Sequence, residues 1–257
     1  MPSPDRSPPV LSPAKTAFFL DVDGTLAEIV SDPRQARVSP EVLSVLDALD
    51  AAADGAVALI SGRSIAQLDQ MLAPLRLPCV GVHGLEQRGP DGRITRAAVD
   101  DMALARLTTA TGRFAEATPG LLAEVKPGSV ALHFRNRPQM ASACLHFMEK
   151  QAARNPDFFL ITGKMVTELK CGPQNKGDAI AGLMTGKPFA GRRAFFAGDD
   201  VTDEAGFSKV NAMDGVSVKV GAGQTCAQFR LADPAAVARY LAGLTDFRPG
   251  SAEQSMP

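Results

Sequence analysis

The stretch "AFFLDVDGTLAEIV", residues 17–30, decides the fold. An apolar run ends at Leu20 and leads through Asp21 and Asp23 into Gly24 and Thr25. A short apolar run bounded by turn chemistry reads as a strand buried on both faces, the kind found in parallel sheets. Two acids at i and i+2 leaving such a strand can point at one site. Buried carboxylates are costly unless paired or bound to a cation, and hard oxygen ligands suit Mg²⁺. The EF-hand reading fails, because that loop needs a longer acidic pattern after a helix, and here a strand precedes.

Outward from this stretch the same grammar repeats. "AVALIS" (56–61), "CVGV" (79–82), "RAFFAGDD" (193–200) and "GVSVKV" (215–220) read as further strands. Between them lie helices with recognisable starts: Ser39 before Pro40, Ser64 before "IAQLDQML", "NKGDAIAGLM", and Asp233 before Pro234. Strands alternating with helices give an α/β class, a Rossmann-like parallel sheet core. In such sheets ligands bind at the carboxyl ends of the strands, where Asp21, Ser61 and Asp199 stand.

The middle of the chain breaks the rhythm. "LLAEVKPGSVALHFR" (121–135) folds at Pro127–Gly128, opposing Lys126 to Ser129, Val125 to Val130 and Glu124 to Ala131. Val125, Val130, Leu132 and Phe134 then share one face, and Glu124, Lys126, His133 and Arg135 the other. A helix with Met140, Ala143, Cys144, Phe147 and Met148 on one stripe can cover the apolar face. "FFLITGKMVTELK" (158–170) reads as a second hairpin. The expected organisation is a disordered Pro-rich leader (1–13), a core (14–103 and 173–248), an inserted α+β cap (104–172) and a disordered tail (249–257). Hinges are expected near 100–105 and 170–175.

The 257 residues are 45% hydrophobic and 21% charged, with a net charge of −1. That balance gives no bulk attraction to nucleic acid or to a membrane surface. No apolar run approaches a membrane span, and the N-terminus has no signal-peptide core. The four cysteines form no CxxC pair and read as free thiols in a reducing cytoplasm. A monomer is expected.

Three further signals join the two aspartates. Ser61-Gly62-Arg63 ends a strand and offers a hydroxyl and N–H groups to an anion. Lys176 starts a helix, against the dipole preference for a cation at the other end, which makes sense opposite phosphate or carboxylates. "GDDVTDE" (198–204) puts more acid at a strand end than helix capping needs. Together they specify in-line phosphoryl transfer. Asp21 is the nucleophile, Asp23 the acid and base, Mg²⁺ the charge neutraliser, and Ser61, Lys176 and main-chain N–H groups the binders of phosphoryl oxygens.

"DVDGTL", Ser61, Lys176 and "GDDVTDE" resemble the four motifs of the haloacid dehalogenase (HAD) phosphohydrolases. "ISGR" (60–63), "GVHG" (81–84), Glu124-x-Lys126, "HFR" (133–135) and Glu168 are similar to the pattern of the trehalose-6-phosphate phosphatases. The resemblance covers about residues 15–245 and implies a HAD fold with the cap between the second and third motifs. It implies that Asp21, the Asp23 carbonyl and Asp199, with Asp203 nearby, hold Mg²⁺. Gly24, Thr25, Ser61, Gly62 and Lys176 would bind phosphate. Arg63, His83, Glu124, Lys126, Arg135 and Glu168 would bind the sugar. The implied activity is hydrolysis of trehalose 6-phosphate, the last step of trehalose synthesis. The alternatives are a phosphatase of another sugar phosphate of the sucrose-phosphate type, a non-catalytic phospho-receiver, or a sugar-phosphate sensor.

Overall fold

The computed structural model describes residues 6–30 and 32–245. The core strands are β1 (Thr16–Leu20), β2 (Val57–Ile60), β3 (Cys79–Gly81), β4 (Glu86–Arg88) and β5 (Ile94–Arg96). The inserted strands are β6 (Leu122–Lys126), β7 (Ser129–His133), β8 (Phe158–Gly163) and β9 (Val166–Cys171). The core resumes with β10 (Arg193–Gly198), β11 (Val216–Val220) and β12 (Phe229–Leu231). Its eight strands form one sheet in the order β12-β11-β10-β1-β2-β3-β4-β5.

Every residue of β1, β2 and β11 is buried, so the sheet is covered on both faces there. This is why those strands read as unbroken apolar runs. The helices are α1 (Pro40–Ala52), α2 (Ile65–Leu72), α3 (Asp101–Glu116), α4 (Ala141–Ala152), α5 (Lys176–Leu183), α6 (Glu204–Ala212) and α7 (Pro234–Leu244). Ser39, Ser64, Asn175 and Asp233 accept main-chain N–H groups at the starts of α1, α2, α5 and α7. None of the helices described is long and apolar enough to cross a membrane.

The register of the three central strands fixes the site. Leu20 pairs with Ala197 and with Leu59. The residues that follow these strands, Asp21, Asp199 and Ser61, therefore emerge at the same end of the sheet.

The insert is a four-stranded antiparallel sheet, order β6-β7-β9-β8. Lys126 opposes Ser129 and Glu124 opposes Ala131, as the Pro127–Gly128 turn predicts. Helices α3 and α4 contribute Leu107, Cys144 and Met148 to an apolar cluster with Val130, Leu132, Phe134 and Leu169. Phe114 of α3 stacks on Phe147 of α4 with ring centroids 4.2 Å apart.

Several expectations need correction. Val125 was placed with the covered apolar residues, but it is 54% exposed. It lies on the edge strand β6, where α3 packs on the strand but leaves this side chain open. The expected third strand ends at Gly81, because Val82 and His83 turn into the left-handed region. Strands β4 and β5 had no apolar run to reveal them. They are held by buried polar groups, with Arg88 bonded to Asp69 and the Leu77 carbonyl, and Glu86 to the Ile65 N–H and Arg96. The leader was expected to be disordered over residues 1–13. Residues 6–13 instead lie along the core: Leu11 is buried, the Arg230 N–H donates to the Arg6 carbonyl, and the Tyr240 hydroxyl to the Pro9 carbonyl. Leu11 supplies the apolar anchor that a proline-rich composition conceals. Residues 1–5 and the expected tail lie outside the described residues.

The two faces of the cap hairpin give a test. Leu132→Ala removes a fully buried side chain and is expected to cost about 2–5 kcal/mol in denaturant unfolding. Val125→Ala at the open edge is expected to stay within about 0.5 kcal/mol of wild type. Equal losses would show that Val125 is covered after all.

Candidate active site

Asp21, the first residue past β1, is 5% exposed. Its Oδ1 accepts a hydrogen bond from Lys176 Nζ at 2.7 Å, and its Oδ2 one from the Thr25 hydroxyl at 3.2 Å. Lys176 also donates to Asp203 Oδ1 at 2.5 Å. The lysine thus bridges the end of β1 to the turn before α6. That partnership offsets its unfavourable place at the start of α5. Burial alone would push Lys176 down, but Asp203 and Asp21 outweigh it and hold the ammonium above the usual lysine range.

The acids are not matched by this one cation. Burial, with repulsion from Asp203 and Asp199, holds Asp21 well above the usual carboxylate range, against the pull of Lys176. Asp199 is pushed up to about 7 by burial and then by Asp203 and Asp200. Carboxylate oxygens of Asp21, Asp199 and Asp203 lie within 4.8 Å of one another. A set of hard oxygen donors carrying more negative charge than Lys176 neutralises suits a divalent cation such as Mg²⁺.

Gly24 makes this geometry possible. Its φ is +80°, and a Cβ there would lie 2.2 Å from Asp199 Oδ2. Both the turn and the close approach exclude a side chain.

Asp23 points elsewhere. Arg63 holds it in a bidentate pair, with Nε and Nη2 each 2.6 Å from a carboxylate oxygen. Arg63 is itself buried, and its N–H donates to the Ser61 hydroxyl at 3.1 Å. Next to them is a strained segment. Val82 and His83 have φ of 46° and 51°, a conformation costing about 1–3 kcal/mol per residue. The segment sets the His83 ring against Gly62, where a Cβ would lie 2.5 Å from Nε2. Burial pushes His83 below its ordinary pKa despite the neighbouring Glu168, 3.7 Å away.

The cap sheet faces this site with charge. Lys126 Nζ donates to Glu168 Oε2 at 2.9 Å, while buried Glu168 Oε1 has no partner. Glu124 accepts from Gln67 Nε2 at 2.9 Å and pairs with His133 at 2.8 Å. Burial would raise Glu124, but the His133 bond and Lys126 bring it down to about 2.

One cleft between core and cap is lined by Asp21, Asp23, Ser61, Gly62, Arg63, His83, Glu124, Lys126, Arg135, Glu168, Lys176 and Asp199. Twelve of the residues singled out from sequence therefore meet at one place. Gly24, Thr25 and Asp203 do not line it: Gly24 packs on Asp199, Thr25 spends its hydroxyl on Asp21, and Asp203 is wholly buried. Sequence reasoning did not single out His133 as a cleft residue, nor Lys164, Asp200 and Thr202, which share the cleft. His133 had a signal, since strand alternation already put it on the polar face with Arg135.

Acids gathered at the carboxyl ends of a parallel sheet, beneath an inserted cap, give the chain the fold of the haloacid dehalogenase-like hydrolases. The chain superposes on a solved haloacid dehalogenase-like hydrolase from B. subtilis with a TM-score of 0.61 at 15% identity, covering 90% of this chain and 99% of that one, a likeness of fold. The family model described as trehalose-phosphatase matches residues 19–235. Trehalose-6-phosphate phosphatase of Escherichia coli strain K12 is 41% identical over 245 residues, spanning 95% of this chain and 92% of that protein. A crystal structure described as a trehalose-6-phosphate phosphatase related protein matches with a TM-score of 0.74 at 29% identity, over 89% of this chain and 96% of that one. The chain belongs to the trehalose-phosphatase family.

Two outcomes follow from the geometry. Gly24→Ala must displace Asp199, and it is expected to weaken Mg²⁺ binding by at least about tenfold in calorimetry, with circular dichroism preserved; unchanged affinity would detach Asp199 from the metal. Glu124, depressed in the fold to about 2 from 4.5, contributes stability that is complete above pH 4.5 and is lost as pH falls toward 2. Glu124→Gln should therefore flatten the acid-unfolding curve of the cap within that window, as read by denaturant midpoints at successive pH values.

Proposed function

We propose that the chain is a magnesium-dependent phosphatase that hydrolyses trehalose 6-phosphate to trehalose and phosphate through a phosphoryl group carried on Asp21. The observation that supports this most is a buried acidic cluster facing a cap whose polar side chains converge on the same cleft. The family membership supports the substrate.

Asp21 attacks phosphorus in line, and the bond to the sugar oxygen breaks as that oxygen takes a proton from Asp23. The Asp23 carboxylate then accepts a proton from water. That water attacks the phosphorus of the aspartyl-phosphate, releasing inorganic phosphate and restoring Asp21. Arg63 occupies both carboxylate oxygens of Asp23, so at least one of these bonds is released when Asp23 carries the proton, and the other keeps the carboxyl group in place. Lys176, Ser61 and Gly62 are the groups that meet phosphoryl oxygens. Asp21, Asp199, Asp203 and the main-chain oxygen of Asp23 would hold Mg²⁺. When bound, the ion would neutralise charge on the phosphoryl oxygens and relieve the repulsion among the acids.

Glu124, Lys126, Arg135 and Glu168, with His83 close by, read the sugar. A polyhydroxyl ligand can donate to carboxylates and accept from cations, and both make charge-assisted hydrogen bonds. The unpartnered Glu168 Oε1 is an acceptor ready for such a hydroxyl.

Phosphate release measured across a panel of sugar phosphates tests the reading. Turnover should be highest with trehalose 6-phosphate and should vanish with EDTA and return with Mg²⁺. Asp21→Asn should lower kcat by at least about a thousandfold. Preference for sucrose phosphate would replace the substrate, and near-normal turnover by Asp21→Asn would remove the nucleophile.

A further inference from the structure

We infer that Gln67 and Asp200, two core residues outside the catalytic cluster, are positioning residues that together set the cap over the phosphate site. The inference rests on the phosphatase reading above and adds what holds the sugar-reading face in place.

Each residue caps a helix with one polar atom and reaches the cap with another. Gln67 is the third residue of α2. Its Oε1 accepts the Ser64 N–H at 2.9 Å, completing a capping box. Its Nε2 then donates to Glu124 Oε1 at 2.9 Å across the cleft. Only this orientation of the amide satisfies both partners, since a main-chain N–H needs an acceptor and a carboxylate needs a donor. His133 Nε2 lies 2.8 Å from the other oxygen of Glu124, so the carboxylate is aimed from two sides.

Asp200 divides its carboxylate in the same way. Its Oδ1 accepts the Val201 N–H at 2.8 Å at the turn before α6. Its Oδ2 accepts the Lys164 N–H at 3.1 Å, at the tip of the β8–β9 hairpin. A Cβ on Gly163 would lie 2.8 Å from that same oxygen, so a glycine permits the approach. Strand β9 carries Val166 and Glu168 into the cleft.

The two contacts grip opposite edges of the cap sheet, which runs β6-β7-β9-β8. One contact alone would leave the sheet able to tilt about it. Two at opposite edges fix the tilt, and with it the distance from the sugar-reading carboxylates to Asp21. Hydrogen bonds to charged groups contribute enough that losing either should be worth about tenfold in substrate affinity.

The test uses variants that spare the helix caps. Gln67→Glu keeps an acceptor for the Ser64 N–H but sets a carboxylate against Glu124. Lys164→Pro removes the N–H that Asp200 accepts. It occupies the first position of a two-residue turn whose second, Met165, has φ of 65°, a place where proline is well tolerated. Lys164→Ala keeps the N–H and controls for the side chain. Gln67→Glu is expected to raise KM for trehalose 6-phosphate about tenfold while kcat/KM for 4-nitrophenyl phosphate, which has no sugar, stays within about twofold. Lys164→Pro should raise KM about tenfold beyond Lys164→Ala. Amide hydrogen exchange over residues 122–133 and 158–171 should accelerate in Gln67→Glu and Lys164→Pro, without any substrate. Wild-type KM and exchange in both variants would overturn the inference, as would a parallel loss on both substrates by Gln67→Glu. A wild-type enzyme inactive on trehalose 6-phosphate would instead overturn the substrate reading, and the exchange data would still decide on the cap.

Discussion

The bridge that Lys176 makes between Asp21 and Asp203 is the contact on which the rest of the site depends. It brings the end of β1, the start of α5 and the turn before α6 to one point. All three side chains are nearly or fully buried. Removing one partner of such a group leaves uncompensated charge in the interior, which costs about 3–5 kcal/mol. The apolar sheet beneath makes this affordable: Phe18, Phe19, Phe195 and Phe196 on the adjacent strands β1 and β10 are fully buried. A rigid, dry platform therefore holds an arrangement that electrostatics alone would push apart.

Around that bridge the acids are treated differently although they lie close in sequence. Asp21 faces an ammonium and a hydroxyl, Asp23 a guanidinium, Asp199 other carboxylates. These surroundings give three side chains of one type three different electrostatic settings, which is the division into nucleophile, proton carrier and cation ligand that the proposed mechanism calls for. The left-handed backbone at Val82 and His83 belongs to the same logic, since it spends conformational energy to seat an imidazole against Gly62.

Much of this architecture could be read from the chain. The buried strands announced themselves because coverage on both faces demands unbroken apolar runs. The hairpin register was readable because Gly128 takes a positive φ of 82° where the turn demands it. The strands that escaped notice, β4 and β5, escaped because Arg88 and Glu86 are buried through hydrogen bonds, and a polar strand carries no periodic apolar signal. Val125 misled because alternation reports the face of a sheet, not how fully a helix covers each position along an edge strand. The chemical residues were legible as types at strand ends. Their partners were not: that Gln67 meets Glu124, or that Asp200 meets a hairpin tip, depends on how two sheets lie against each other, and no local pattern carries that information.

The return crossing from cap to core has a consequence for the size of ligand that fits. Glu168 lies on β9 and Lys176 opens α5, so one continuous stretch carries both the carboxylate proposed to read the sugar and the ammonium proposed to meet the phosphate. Its first part is extended at about 3.3 Å per residue and pinned within the cap sheet by pairing to β7 and β8. Its far end is pinned by the carboxylates of Asp21 and Asp203. Such a segment acts as a gauge block. On the proposed function, a ligand that satisfies both ends must match a length fixed by the chain, so a phosphorylated sugar would be measured as well as recognised.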